Sequence, residues 1–203
     1  MGFASRSVSI VRYRIRGEVE GPFWEAVDNG VKTGAFKEVL TDGEVVGMGW
    51  TSIEDFTDKQ FERASYIRGN YVALSMRVDA VRVPARILEI HFREQSKKLI
   101  EETGQRRLSS SQRRELKDRL KESLKQKVFP SIQVIDLIWN TSLGIVYLGT
   151  HSVRIRERVE DHFKKSFGLR LIPLIPYLRA EEILAESSSR KRLEDARPSV
   201  MAP

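Results

Sequence analysis

The sequence predicts an α+β protein, in which a β-rich central domain carries an inserted basic αα-hairpin, the tip. Two periodicities support this: apolar residues alternate in the outer parts of the chain and recur every three or four residues in the middle. The charge supports it too, because the excess of 35 Lys and Arg over 28 Asp and Glu is unevenly distributed. With 40% apolar and 31% charged residues, the composition is that of a globular protein.

The first part of the chain predicts strands with one helix between them. Val11, Tyr13 and Ile15 alternate with arginines, which is typical of a strand with one buried face. Pro22 suits the first turn of a helix. The predicted elements are a strand at 9–15, a helix from Pro22 to Val31, a strand at 45–50 and a longer strand at 71–81.

A helical hairpin is predicted after Pro84, over residues 85–128. Gly104 can adopt the left-handed conformation that follows a helix end. Ser109, with Gln112 three residues later, indicates a capping box that starts the second helix. An apolar stripe runs along that helix through Leu116, Leu120, Leu124 and Val128.

The β pattern returns after Pro130. The predicted elements are a strand at 132–139, a returning strand at 144–149, a helix from Ser152 to Phe167, a strand at 169–175 and a helix at 179–185. The central domain is therefore expected to be discontinuous, over 1–84 and 129–187, with the tip at 85–128. Residues 188–203 have little apolar surface to bury and are expected to be disordered.

The positive charge is concentrated in the predicted hairpin. Residues 86–128 carry 13 basic and 7 acidic side chains, whereas residues 1–85 and 129–187 have net charges of −1 and 0. Cations at four-residue spacing on a helix lie about 6 Å apart along one face and can follow a phosphate backbone. The predicted phosphate contacts are Lys97, Lys98, Arg106, Arg107, Arg113, Arg114, Lys117, Lys121 and Lys125.

Two interpretations of the hairpin remain open at this point. In the first, it holds DNA by its phosphates and does not recognise the bases, because no aromatic residue interleaves with the cations. In the second, it is an oligomerisation module in which Leu116, Leu120 and Leu124 carry the contact. Acidic residues on the same helix could then neutralise the cations; they are Glu115, Asp118 and Glu122.

The sequence contains no pattern that indicates catalysis. It has no cysteine, and its histidines, His91, His151 and His162, lack ligand-like spacing, which favours surface or capping roles. No phosphate-binding loop, dinucleotide-binding glycine motif or nucleophile elbow occurs. Asp79 and Asp136 are the weak candidates for a shared metal. The prediction is a protein without enzymatic activity, cofactor or metal.

Targeting signals are also missing from the sequence. Arg6, Arg12, Arg14 and Arg16 stand where a signal peptide needs its apolar segment. No apolar stretch approaches the ~20 residues that cross a bilayer. We therefore expect a cytoplasmic protein with no membrane partner.

Several stretches, taken in order and spacing, resemble the bacterial recombination-associated protein RdgC family. The resemblance covers about residues 8–180 and corresponds to the N-terminal two-thirds of that family, its centre and tip. The stretches are Gly47-Met48-Gly49-Trp50, Val83-Pro84-Ala85-Arg86, Phe129-Pro130, residues 138–146 (IWNTSLGIV) and Leu171-Ile172-Pro173-Leu174.

The resemblance implies a homodimer that binds duplex DNA without sequence preference and restrains the RecA recombinase on the nucleoid. RdgC-like proteins form a closed ring around DNA, with a tip that residues 85–130 match. The family's C-terminal base portion has no counterpart in this sequence, so a different dimer, an open clamp or a ring closed by another surface is expected.

Overall fold

The described part of the chain comprises residue 3 and residues 7–38, 45–184 and 195 of the computed structural model. These residues form five α-helices and eight strands, which confirms the α+β class. The tail predicted at 188–203 lies outside the described residues, apart from Asp195.

The elements follow one another in nearly the predicted order. The helices are α1 (Phe23–Thr33), α2 (Ala85–Thr103), α3 (Ser110–Lys125), α4 (Val153–Phe167) and α5 (Pro176–Leu184). The strands are β1 (Val11–Arg16), β2 (Lys37–Glu38), β3 (Val45–Ser52), β4 (Ile67–Arg68), β5 (Tyr71–Ala80), β6 (Ser131–Asn140), β7 (Ile145–Leu148) and β8 (Arg170–Pro173). The two-residue strands β2 and β4 were not predicted, because two residues show no periodicity.

The strands form one sheet in the order β2-β3-β5-β6-β7-β1-β8, and β4 pairs with β5. β1 lies between β7 and β8 and is antiparallel to both. The N-terminal strand is thus paired on both sides with strands from the last third of the chain. Such long-range pairing cannot be deduced from local sequence signals.

The described chain divides into two compact units. The first comprises Met1–Ala35, Trp50–Met76 and Ile135–Pro203, and the second comprises Phe36–Gly49 and Arg77–Val134. α2 and α3 belong to the second unit together with strand segments. The predicted domain boundaries at 84 and 129 stay a prediction.

An aromatic cluster forms the core of the first unit. Trp50 of β3, Trp139 of β6 and Phe163 of α4 are at most 2% exposed. The ring of Phe163 lies 5.6 Å from that of Trp139 and 4.7 Å from that of Phe167, measured between ring centroids. These edge and tilted contacts fix α4 on one face of the sheet.

Gly34, directly after α1, sits where two other elements approach the backbone. A Cβ atom there would lie 2.2 Å from the Ser166 hydroxyl oxygen and 2.7 Å from the Trp50 ring. The Gly34 carbonyl accepts a hydrogen bond from the Trp50 backbone N–H at 2.8 Å, and Trp50 Nε1 donates to Ser166 Oγ at 2.9 Å. Only glycine allows this close packing.

A similar close contact occurs in the second unit. A Cβ atom on Gly47 would lie 2.6 Å from the Phe36 ring. The guanidinium of Arg77 lies 4.3 Å from the centre of the same ring and donates to Asp79 Oδ1 at 2.8 Å. Phe36 is therefore packed between strand backbone and a paired arginine.

His162 joins α4 to the end of α1. Its Nε2 lies 2.8 Å from the Gly34 carbonyl oxygen, and its ring lies 4.8 Å from the Trp50 ring. Burial lowers the pKa of His162 below its ordinary value of 6.5; the Gly34 hydrogen bond opposes this, and the charge of Lys165 adds to it. The neutral imidazole is therefore the form that the fold favours.

We predict that the free energy of unfolding falls as the pH drops below about 6.5. The unfolded chain, whose histidine has the ordinary pKa, binds a proton that folded His162 resists, so acid favours unfolding in this range. His162→Gln keeps an N–H donor for Gly34 but does not titrate, and it should flatten the dependence between pH 5 and 7. Urea denaturation across this range measures the effect. A His151→Gln control, at an exposed position, should keep the wild-type dependence; the same slope in wild type and His162→Gln would contradict the assignment.

Candidate nucleic-acid interface

The two helices that carry the predicted interface begin and end on the expected signals. α2 ends at Gly104, which has a φ of 64°. α3 begins with the predicted capping box: Ser109 Oγ accepts from the Gln112 backbone N–H at 3.2 Å, and Gln112 Oε1 accepts from the Ser109 N–H at 2.9 Å. This box fixes the direction in which α3 leaves the turn.

Apolar side chains hold α2 and α3 together. Phe92 of α2 is 9% exposed, and Leu108 in the turn and Leu124 of α3 are each 7% exposed. The rest of the predicted stripe on α3 is half-buried, at Leu116 and Leu120 and, just past the helix, at Val128. The residues of this stripe are thus largely covered by other parts of the chain. Their burial weakens the hypothesis that Leu116, Leu120 and Leu124 form an oligomer contact.

Three carboxylates on the two helices pair with Lys or Arg, and two of these cations lie outside the predicted set. Glu89 pairs with Arg93, and Glu115 pairs with Arg119, each one helical turn apart. Glu122 pairs with Lys125 at 3.0 Å. Such pairs form between residues three or four apart and remove those cations from the surplus.

Eight of the nine predicted residues are exposed cations that form no ion pair with any residue that the structure describes. Two lie near the end of α2, two in the turn and four on α3. They are Lys97, Lys98, Arg106, Arg107, Arg113, Arg114, Lys117 and Lys121. We call this set the cationic surface.

Lys125, the ninth predicted residue, differs from the others. Its side chain is only 18% exposed, and its ammonium group is paired with Glu122. Four-residue spacing placed it in line with Arg113, Lys117 and Lys121, but this spacing does not show how the last turn of α3 is covered. We therefore leave Lys125 out of the cationic surface.

Sequence reasoning missed two cations at the other end of the helix pair. Arg86 of α2 and Lys127, just after α3, are exposed and form no ion pair with the described residues. Both were counted in the net charge of +6 of residues 86–128, and this charge is the feature of the sequence that could have indicated them. They were overlooked because neither belongs to the four-residue row on α3.

One aromatic ring lies beside the cationic surface. Lys117 Nζ is 5.0 Å from the centre of the Phe92 ring, within the range of a cation–π contact. Phe92 is 9% exposed, so its ring cannot stack on a base. The ring orients Lys117 and offers no contact for base recognition.

The two carboxylates considered for a metal are each held by protein groups. Asp79 Oδ2 is 2.6 Å from an Arg77 guanidinium nitrogen. Asp136 accepts from the Ser75 hydroxyl at 2.7 Å and from the Phe3 backbone N–H at 2.8 Å. No cluster of three or more His, Asp or Glu side chains that could hold a metal occurs among the described residues.

Comparison with protein-family models and with curated proteins gives no match to this chain. The resemblance to the RdgC family therefore stays a prediction. Within the described residues, no helix combines the length and the apolar character needed to cross a membrane.

We predict that Ser109→Ala destabilises α3, because the variant loses the hydrogen bond to the Gln112 N–H. The expected loss is about 1 kcal/mol in the free energy of unfolding, measured by urea denaturation followed by far-ultraviolet circular dichroism. Ser110→Ala, at the next position, is the matched control and should stay close to wild type. Equal effects of the two substitutions would show that the capping box does not stabilise the helix.

Proposed function

We propose that this protein binds DNA without sequence preference, through phosphate contacts made by the cationic surface of α2 and α3. The observation that carries the proposal is that eight exposed Lys and Arg side chains form no ion pair with the described residues, while Glu89, Glu115 and Glu122 pair with other cations. Unneutralised cations on one helical pair attract a polyanion.

The chemistry follows from the two side-chain types present. Arginine presents a planar fork that can donate two hydrogen bonds to one phosphate, whereas lysine acts as a flexible point charge. On α3, Arg113, Lys117 and Lys121 follow one another at a spacing of about 6 Å. Each phosphate that they neutralise releases counterions, and the gain in entropy drives binding most strongly at low salt.

Sequence-independent binding follows from what this surface lacks. Phe92, the aromatic ring beside Lys117, is buried beneath it. Contacts made only to phosphates fix a protein on the backbone and carry no base information. We therefore expect similar affinities for duplexes of different sequence.

The resemblance to RdgC-type proteins extends the proposal to a biological role. We propose a homodimeric clamp or ring on duplex DNA that restrains a RecA-type recombinase, in the cytoplasm at the nucleoid. This part rests on the resemblance alone. The phosphate contacts and the dimer are separable: the first can be tested on the cationic surface, and the second by the mass in solution.

A protein-interaction module remains the second candidate, and one observation favours it. Ile87 and Ile90 of α2 are 41% and 56% exposed, and residues three apart lie on the same side of a helix. An apolar contact there would give self-association that is insensitive to salt, without retention of DNA. Measuring mass and DNA affinity on the same sample separates the two candidates.

We predict that reversing four cations, by Arg106→Glu, Arg113→Glu, Lys117→Glu and Lys121→Glu together, abolishes duplex binding at 50 mM salt. The reversal replaces attraction to phosphate with repulsion at four points. Fluorescence anisotropy of a labelled duplex measures the affinity. A matched control reverses four exposed cations of the first unit, Lys59, Arg68, Lys164 and Lys165.

The control has the same net charge as the test variant, so a non-specific effect of charge would weaken both equally. The proposal expects the control to retain most of the wild-type affinity. Undiminished duplex binding by the four-site variant, with an unchanged circular dichroism spectrum, would overturn it.

A further inference from the structure

The register of β1 assigns its residues to the two faces of the sheet in the first unit. Tyr13 lies opposite Val146 of β7 and opposite Pro173 of β8, and Val146 lies opposite Trp139 of β6. Directly opposed residues of antiparallel strands point to the same face. Tyr13 and Val146 are fully buried, and Trp139 packs against Phe163 of α4. This is the face that α4 covers.

Three arginines of β1 occupy the opposite face, because side chains alternate along a strand. Arg12 lies opposite Tyr147 of β7, and Arg16 lies opposite Arg170 of β8. Arg14 lies between Ile145 of β7 and Ile172 of β8 and is half-buried. Four arginines therefore share one face with a tyrosine; we call this set, Arg12, Arg14, Arg16, Arg170 and Tyr147, the arginine face.

Arg16 and Arg170 form a pair that opposes folding. Like charges directly opposite each other on neighbouring strands destabilise a sheet. Both side chains are exposed, and neither they nor Arg12 form an ion pair with a described residue. A bound anion would relieve this repulsion.

One carboxylate of β6, that of Asp136, lies on the same face of the sheet and is already hydrogen-bonded. Asp136 is two positions along β6 from Ile138, the residue opposite Tyr147. It is 7% exposed and accepts hydrogen bonds from Ser75 and Phe3. The register pairs that contain the arginine face include no acidic residue. The charges of Arg12, Arg16 and Arg170 are therefore not balanced by the residues that lie opposite them in these strands.

Apolar surface lies between the arginines. Tyr147 is half-buried, as are Ile138, Ile145 and Ile172, so each of these residues keeps some accessible surface. The cationic surface of α2 and α3 lacks such a combination. Cations interleaved with an aromatic ring and aliphatic surface suit a strand whose bases are unstacked, since phosphates meet the arginines and a base stacks on the ring.

We propose that the arginine face binds single-stranded nucleic acid, with phosphates on Arg12, Arg16 and Arg170 and a base stacked on Tyr147. Arg12 and Arg16 lie about 13 Å apart along β1, so they contact phosphates that are separated by more than one nucleotide step of an extended strand. This site is separate from the duplex contacts proposed for α2 and α3. The arginine face should bind duplex DNA more weakly than a single strand, because the bases of a duplex are paired and not available for stacking on Tyr147.

The test uses the full chain with Arg12→Glu, Arg16→Glu and Arg170→Glu combined. Anisotropy is measured with labelled twelve-residue oligo-dT and oligo-U and with a duplex. The variant should lose single-strand affinity by on the order of a hundredfold, and the log–log slope against salt should shrink by about 2, for three phosphates at ~0.7 each. The control variant Lys59→Glu, Lys164→Glu and Lys165→Glu has the same net charge and should stay within about twofold of wild type.

Tyr147 supplies the second variant, which tests stacking apart from charge. Tyr147→Ala should weaken oligonucleotide binding about tenfold, whereas Tyr147→Phe, which keeps the ring, should bind as wild type does. Binding of both oligonucleotides supports a site that ignores the sugar, and binding of one alone supports a site that selects it. Circular dichroism and urea denaturation verify that each variant is folded.

The outcomes separate this site from the function proposed above. Loss of oligonucleotide binding in the arginine variants supports the arginine face, whether or not α2 and α3 prove to bind duplex; where duplex is bound, its affinity should change much less. Folded arginine variants with wild-type oligonucleotide affinity would overturn the site. Salt-insensitive dimerisation that the triple reversal abolishes, without any oligonucleotide binding, would likewise overturn it and identify the face as a contact between copies.

Discussion

The pairing of carboxylates along α2 and α3 is the constraint on which the proposed function depends. Glu89 and Glu115 pair with Arg93 and Arg119, one turn away on the same helix. Because these short-range pairs hold both carboxylates to a cation on their own helix, Glu89 and Glu115 do not neutralise the cationic surface. If these carboxylates paired with members of the cationic surface instead, the net charge would be the same, but fewer unpaired cations would remain to contact a phosphate backbone.

The fold separates the cations of β1 from the buried aromatic cluster by means of periodicity. On β1, alternation directs Tyr13 towards the aromatic cluster under α4 and directs Arg12 and Arg14 to the other face. The close contact at Gly34 supports the same arrangement, since it lets α1, β3 and α4 meet without a gap. Both candidate surfaces thus depend on apolar packing behind them, which holds long cationic side chains on rigid elements.

Local signals predicted much of the fold and part of the site. The capping box at Ser109 and the left-handed Gly104 are confirmed, because each depends only on neighbouring residues. The covered position of Lys125 depends on how α3 packs and was not predictable from spacing. The position of Arg170 directly opposite Arg16 was not predictable either, because the register between strands about 150 residues apart is set by tertiary packing. The net charges of the two segments are close to zero and therefore gave no sign of this cluster of arginines.

The salt dependence of duplex affinity in the unmodified protein tests the central claim most directly. If the exposed cations of α2 and α3 neutralise phosphates, log K should fall linearly with log salt concentration, with a slope between about −4 and −7 for up to eight contacts at ~0.9 each. Two duplexes of unrelated sequence should give the same slope and affinity. A slope near zero, or an affinity that changes strongly with sequence, would contradict binding by phosphate contacts from this surface.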